Sequence, residues 1–126
     1  MRVYKVKTFA RFQHRERIAD ESLAKAVRSA EDGLVDADLG GGLIKQRIAR
    51  QGQGKSGGYR TVIVYRRGDR AVFLLGFAKN ERANIDDDEL ETLRGQARAF
   101  LGLTMDQIEA AIVEDELLEV SYAEED

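Results

Sequence analysis

"YRTVIVYRRGDRAVFLLGFAK", Tyr59–Lys79, holds two runs rich in Val, Ile, Phe and Tyr on either side of Arg67-Gly68-Asp69-Arg70. Such side chains suit a pleated surface, and Gly supplies the positive φ that a tight turn needs. The stretch therefore reads as an antiparallel hairpin. With the turn centred on Gly68-Asp69, Arg66 faces Ala71, Val64 faces Phe73, Val62 faces Leu75 and Arg60 faces Phe77. Lys79 then falls on the same face, opposite Gly58. Register decides this, because a slip of one residue exchanges the two faces. In this register Arg60, Phe77 and Lys79 gather at one end of the sheet.

Outward from the hairpin, Leu43–Arg50 alternates as a further strand. Leu43, Lys45, Arg47 and Ala49 lie on one face, and Ile44, Gln46, Ile48 and Arg50 on the other. Val3–Lys7 reads as a first strand. Phe9, Phe12 and Ile18 mark a short amphipathic helix. Asp20 is the expected N-cap of a second helix with Leu23, Ala26, Val27 and Ala30 at helical spacing, ended by Gly33. After Asn80 the helical period returns. Asp86 or a neighbour caps a helix carrying Leu90, Leu93, Ala97, Phe100 and Leu101, and Thr104 with Gln107 forms a capping box for a last one. Leu117–Tyr122 reads as a short final strand. The expected fold is α+β, with two N-terminal helices packed on a small, mostly antiparallel twisted sheet and additional helices at the C-terminal end.

The chain has 126 residues, enough for one hydrophobic core and a single domain, 1–126. It has no cysteine, so disulfides and thiolate chemistry are excluded. The charged N-terminal stretch lacks the apolar region of a signal peptide, and no run has the roughly 18 apolar residues of a membrane span. Cytoplasmic residence is the expectation. The net charge of −3 conceals an asymmetry: residues 1–80 carry 17 Lys+Arg against 8 Asp+Glu (+9), and residues 81–126 carry 3 against 15 (−12). Leu43–Lys79 has nine cations and only Asp69 as an acid. That density suits a polyanion; the plainer alternative is a solvated charged face balanced by the acidic end.

Within this basic segment, Gly54-Lys55-Ser56 resembles the end of a P-loop. However, Ala49 stands where that motif requires its first Gly. Gly57-Gly58 also leads into a β-branched strand, not the helix whose amides would hold phosphates. A nucleotide site is therefore rejected. Arg60, Lys79 and a loop-borne Lys55 can instead grip a phosphate, Arg in bidentate fashion. Phe77 offers a stacking surface for a base, and Lys45 and Arg47 extend the groove. His14, the only histidine, reads as a surface residue, and Asp86-Asp87-Asp88 as a helix N-terminus. No metal site, cofactor site or Ser-His-Asp set can be assembled.

"GGGLIKQRIARQGQGKSGGYRTVIVYRRGDRAVFLLGFAKNERANI", Gly40–Ile85, resembles the RelE/ParE superfamily of bacterial toxins, in particular its HigB-like branch. The G-K-x-G-G-x-R run and the strand-ending A-K-N-E carry the resemblance. It covers residues 1 to about 100, leaving 101–126 as an acidic helical C-terminal extension. The resemblance implies a toxin of a type II toxin–antitoxin system, inhibited by a cognate antitoxin, often a helix-turn-helix, HigA-like protein. It implies metal-independent cleavage of mRNA on the ribosome, the nucleotide's 2′-OH attacking the scissile phosphate. By the same resemblance, Arg60 binds that phosphate, Lys79 or Lys55 transfers the proton, and Lys45, Arg47 and Arg50 hold RNA backbone; Phe77, as the stacking surface, and Asn80 complete the expected RNA contacts. Several relatives carry a second Arg where this chain has Asn80, and a late Tyr or His as acid or base; Tyr122 is the late tyrosine here. Two other readings stay open: a ParE-like toxin that poisons DNA gyrase, and a non-catalytic RNA-binding module. The acidic helices read as solvated amphipathic elements, the alternative being that they pack near the basic sheet and tune access to it.

Overall fold

A computed structural model describes residues 1–50, 54–82 and 84–122, with the backbone alone for 54–56. In chain order these residues form β1 (Arg2–Val6), α1 (Lys7–Arg15), α2 (Asp20–Glu31), β2 (Ala37–Gly40) and β3 (Leu43–Arg50). There follow β4 (Gly54–Arg66), β5 (Arg70–Ala78), α3 (Asp87–Leu101), α4 (Met105–Val113) and β6 (Leu117–Val120). The six strands make one sheet in the order β2-β3-β4-β5-β1-β6, antiparallel except where β1 runs parallel to β5. The expected α+β class and mostly antiparallel sheet are what the chain adopts.

Each face of the sheet carries its own apolar layer. On one, Phe9 and Phe12 of α1 and Leu23, Ala26, Val27 and Ala30 of α2 cover Ile44, Ile48, Tyr59, Ile63 and Phe73. Close approach depends on Gly76, where an added Cβ would lie 2.3 Å from Phe12 Cε2. On the other face, Leu93 and Ala97 of α3 and Ile108 of α4 cover Leu43, Val62, Val64, Val72 and Leu74. Both layers bury large aliphatic and aromatic groups completely, which is the main favourable term in folding.

The hairpin departs from the expected register in one half. Tyr59↔Ala78, Arg60↔Phe77 and Val62↔Leu75 pair as expected, but Ile63 pairs with Phe73, Val64 with Val72 and Arg66 with Arg70. A bulge at Leu74 accounts for the shift. It places the consecutive residues Leu74 and Leu75 in the layer under α3 and sends Phe73 to the α1 side. Ala71 and Phe73 thus oppose Tyr65 and Ile63, not Arg66 and Val64. Gly68 adopts φ +72 in the turn, and Asp69 N–H closes onto Arg66 C=O at 3.1 Å.

Helix ends mostly follow the sequence signals. Asp86 caps α3 by accepting Glu89 N–H at 2.8 Å, and Thr104 with Gln107 forms the full capping box of α4. Gly33 stands beyond α2 with φ +85. Asp20 is not the N-cap: it is the first residue of α2, and its carboxylate accepts Gln13 Nε2 at 2.7 Å and Lys5 Nζ at 3.1 Å. β2 was not expected, being four residues long and half polar or Gly. Arg94 of α3 helps hold it, donating to Leu39 C=O at 2.7 Å. β4 begins at Gly54, so the Gly-rich segment read as a loop is largely strand, with Arg50 opposite Gly54. β6 pairs with β1 and forms one edge of the sheet, opposite to the β2 edge.

Candidate functional site

β3, β4 and β5 bring three of the expected residues into one row. Arg47 pairs with Arg60, and Arg60 pairs with Phe77. All three lie on the face opposite α1 and α2, since the intervening Ile48, Tyr59 and Ala78 belong to the α1 layer. Lys45 flanks the row on one side, opposite Val62. Lys79 flanks it on the other, its N–H donating to Gly58 C=O at 3.2 Å. Alternation thus gathers Lys45, Arg47 and Arg60 on one face, with Lys79 in the turn just beyond β5. α3 buries the neighbouring Leu43, Val62 and Val64 but leaves Lys45 and Arg60 half-buried and Arg47 and Lys79 exposed.

Arg47 and Arg60 directly opposite one another repel, and like charges at this spacing are destabilising. Asp36 relieves part of this. Its carboxylate accepts Arg47 N–H at 2.6 Å and lies 4.0 Å from Arg47 Nε. Arg60 Nη1 donates to Tyr59 C=O at 3.4 Å. Like charge held close on a rigid sheet is the arrangement expected where an incoming polyanion will neutralise it.

Sequence reasoning missed one residue of this face. Glu81 and Arg82 N–H both turn back onto Ala78 C=O, at 3.0 and 3.3 Å, so the chain folds over the end of β5. The Arg82 guanidinium consequently lies over the Phe77 ring, 4.6 Å from its centroid. Arg82 Nη2 also sits 2.9 Å from Glu89 Oε1 at the start of α3. Phe77 is only 5% exposed and forms the floor beneath Arg82, so it offers no open stacking surface in this arrangement. Asn80, the residue expected to contact RNA here, is exposed on the same turn. The available signal was the short A-K-N-E-R spacing, which allows Arg82 to fold back over the strand end.

Other expected residues lie elsewhere. Arg50 is on the α1 side, its guanidinium 5.6 Å from the Tyr59 ring centroid. Lys55 is in β4, but its side chain lies outside the described residues. Tyr122 packs against the α1 layer beyond β6, with Arg28 over its ring at 5.9 Å. It is therefore on the opposite face and toward the opposite edge of the sheet from Arg60, which removes it as a partner in the same chemistry. His14 is exposed in the last turn of α1.

The basic segment is also divided in purpose. Arg70, 7% exposed, donates to Phe100 C=O at 3.0 Å and Leu103 C=O at 2.8 Å and pairs with Asp69. Arg66 donates to Leu101 C=O at 2.9 Å. Both satisfy carbonyls at the end of α3. Among the described residues, no helix is long and apolar enough to cross a membrane, and no group of three or more His, Asp or Glu is placed to hold a metal ion. The family model for the RelE toxin of RelE/RelB toxin–antitoxin systems matches residues 1–120. No curated protein matches the chain.

Proposed function

Because the chain belongs to the RelE toxin family of toxin–antitoxin systems, we propose that it is an endoribonuclease that cuts mRNA on the ribosome. The observation that carries this reading is the row Arg47–Arg60–Phe77, flanked by Lys45 on the same face and by Lys79 just beyond the end of β5. In the proposed reaction the 2′-OH of a nucleotide loses its proton and attacks the adjacent phosphorus. The P–O5′ bond breaks, the leaving oxygen gains a proton, and the products are a 2′,3′-cyclic phosphate and a 5′-OH. Arg60 holds the phosphate and the charge that grows on it in the transition state, a role suited to a group that stays cationic. Lys79, one row along from Arg60, or Lys55 transfers the proton. Lys45 and Arg47 hold the RNA backbone. The nucleophile belongs to the RNA itself, so this mechanism calls on no metal.

The same reading makes the cytoplasm the site of action and a helix-turn-helix, HigA-like antitoxin the inhibitor. Inducing the chain without antitoxin, and mapping message ends, tests it. Growth arrest with new 5′-OH ends is expected, and Arg60→Ala should abolish both. Arrest without new ends would overturn the nuclease reading and favour DNA gyrase as the target. No growth effect would favour a non-catalytic RNA-binding module.

A further inference from the structure

We propose that Arg82 is a second phosphate-binding guanidinium of the Arg60 site, and that Glu89 occupies it until RNA displaces the carboxylate. This rests on the reading of that face as the RNA site.

Three observations meet here. Arg82 lies over the ring of Phe77, the cross-strand partner of Arg60. Paired residues are about 5 Å apart at Cα, so the guanidinium is anchored beside the arginine row and shares its face. The ring holds it there by a cation–π contact. Secondly, Arg82 already grips an anion: Glu89 Oε1 lies 2.9 Å away. That carboxylate oxygen stands where a phosphate oxygen would.

Thirdly, the grip is easily broken. The Arg82 and Glu89 side chains are 37% and 31% exposed, and ion pairs this open to solvent are weak. Glu89 Oε1 is buried yet has no partner of hydrogen-bond geometry, so the contact is charge attraction without an aligned N–H. A phosphodiester presents two oxygens to the same fork and can align both. Displacement leaves Glu89 near the entering backbone, where its charge opposes binding. Glu89 therefore sets a threshold: only an anion also held by Arg60 and Arg47 takes Arg82 from it.

Salt-dependent binding of a fluorescent single-stranded RNA oligonucleotide to the purified chain tests this. Arg82→Met keeps a side chain over Phe77 while removing the charge, so loss of fold does not confuse the result. It should weaken binding about tenfold at low salt and reduce the slope of log K against log salt by about 0.7, one phosphate contact on a single strand. Glu89→Gln should tighten binding severalfold, and this gain should vanish in the Arg82→Met background. A wild-type slope for Arg82→Met, with Arg60→Ala impaired, would overturn this inference and leave Arg82 as a cover for Phe77. Unchanged binding by Arg60→Ala would instead overturn the RNA site itself.

Discussion

Gly58 stands where β4 bulges against β3, and Gly58→Ala isolates what that close approach contributes. A Cβ at this position would lie 2.1 Å from Ile48 O and 2.7 Å from Arg50 N. Both are backbone atoms, so no rotamer change can make room. A real Cβ essentially never comes within 3.0 Å of another heavy atom. The β3 carbonyl must therefore retreat by close to an ångström, loosening the pairing beside Ile48↔Tyr59 and the Lys79 N–H to Gly58 C=O bond. Overpacking of this kind costs about 1–3 kcal/mol, and each weakened backbone bond adds about 1 kcal/mol. A total of roughly 3–5 kcal/mol lowers Tm by ~12–20 °C in a chain of 126 residues, at ~4 °C per kcal/mol. Because the strain falls two residues from Arg60, RNA affinity should fall in the protein that remains folded. Differential scanning fluorimetry with RNA titration at 20 °C gives both numbers. A Tm within about 1 °C of wild type would refute the argument, because it would mean that the strands are not in close contact at this point.

The opposite sign is expected at Gly95, inside α3 with open space where a Cβ would go: Gly95→Ala should gain about 1 kcal/mol of helix propensity, read as a rise in Tm. Arg70→Met removes the side-chain donor to the Phe100 and Leu103 carbonyls and should cost about 2–3 kcal/mol in urea unfolding. Burial alone would raise the pKa of Asp20, but the hydrogen bonds from Gln13 and Lys5 outweigh it and hold the carboxyl below its ordinary value. Its stabilising contribution is thus present above the unfolded pKa of about 3.9 and lost as pH falls through the lower folded value. Urea midpoints of Asp20→Asn should therefore lie below wild type at neutral pH and converge with it in acid; parallel curves would contradict this. Arg47→Ala should reduce the salt slope of RNA binding by about 0.7, whereas Arg50→Ala, on the other face with Tyr59, should leave it unchanged.

The hairpin was legible because its signals are local: β-branched runs and a Gly turn. Its Arg60–Phe77 end was placed correctly, since both strands alternate there without interruption. The turn end was not, because Leu74 and Leu75 are alike in pattern and only the layer under α3 decides that both face it. Glycine misled in the segment before Tyr59. Its low strand preference reads as a loop, whereas Gly58 is in β4 because β3 passes too close for any other residue. Asp20 looked like a cap because its partners, Lys5 and Gln13, come from other elements. Arg82 was missed for a related reason. Its contacts reach back to Phe77 and forward to Glu89, and no periodicity links residues in a turn.

The charge asymmetry of the chain becomes clearer once α3 is in place. Nine cations between Leu43 and Lys79 looked like one polyanion-binding surface. Arg66 and Arg70 instead serve the carbonyls around the C-terminal end of α3, where the helix dipole favours cations. The N-terminal end of the same helix, with Asp86, Asp87, Asp88 and Glu89, starts beside the Arg60 row and meets Arg82. The two ends of α3 thus meet groups of opposite charge, in keeping with its dipole. The acidic half of the chain is more than a solvated counterweight, since Glu89 of α3 places a carboxylate on Arg82 at the rim of the basic face.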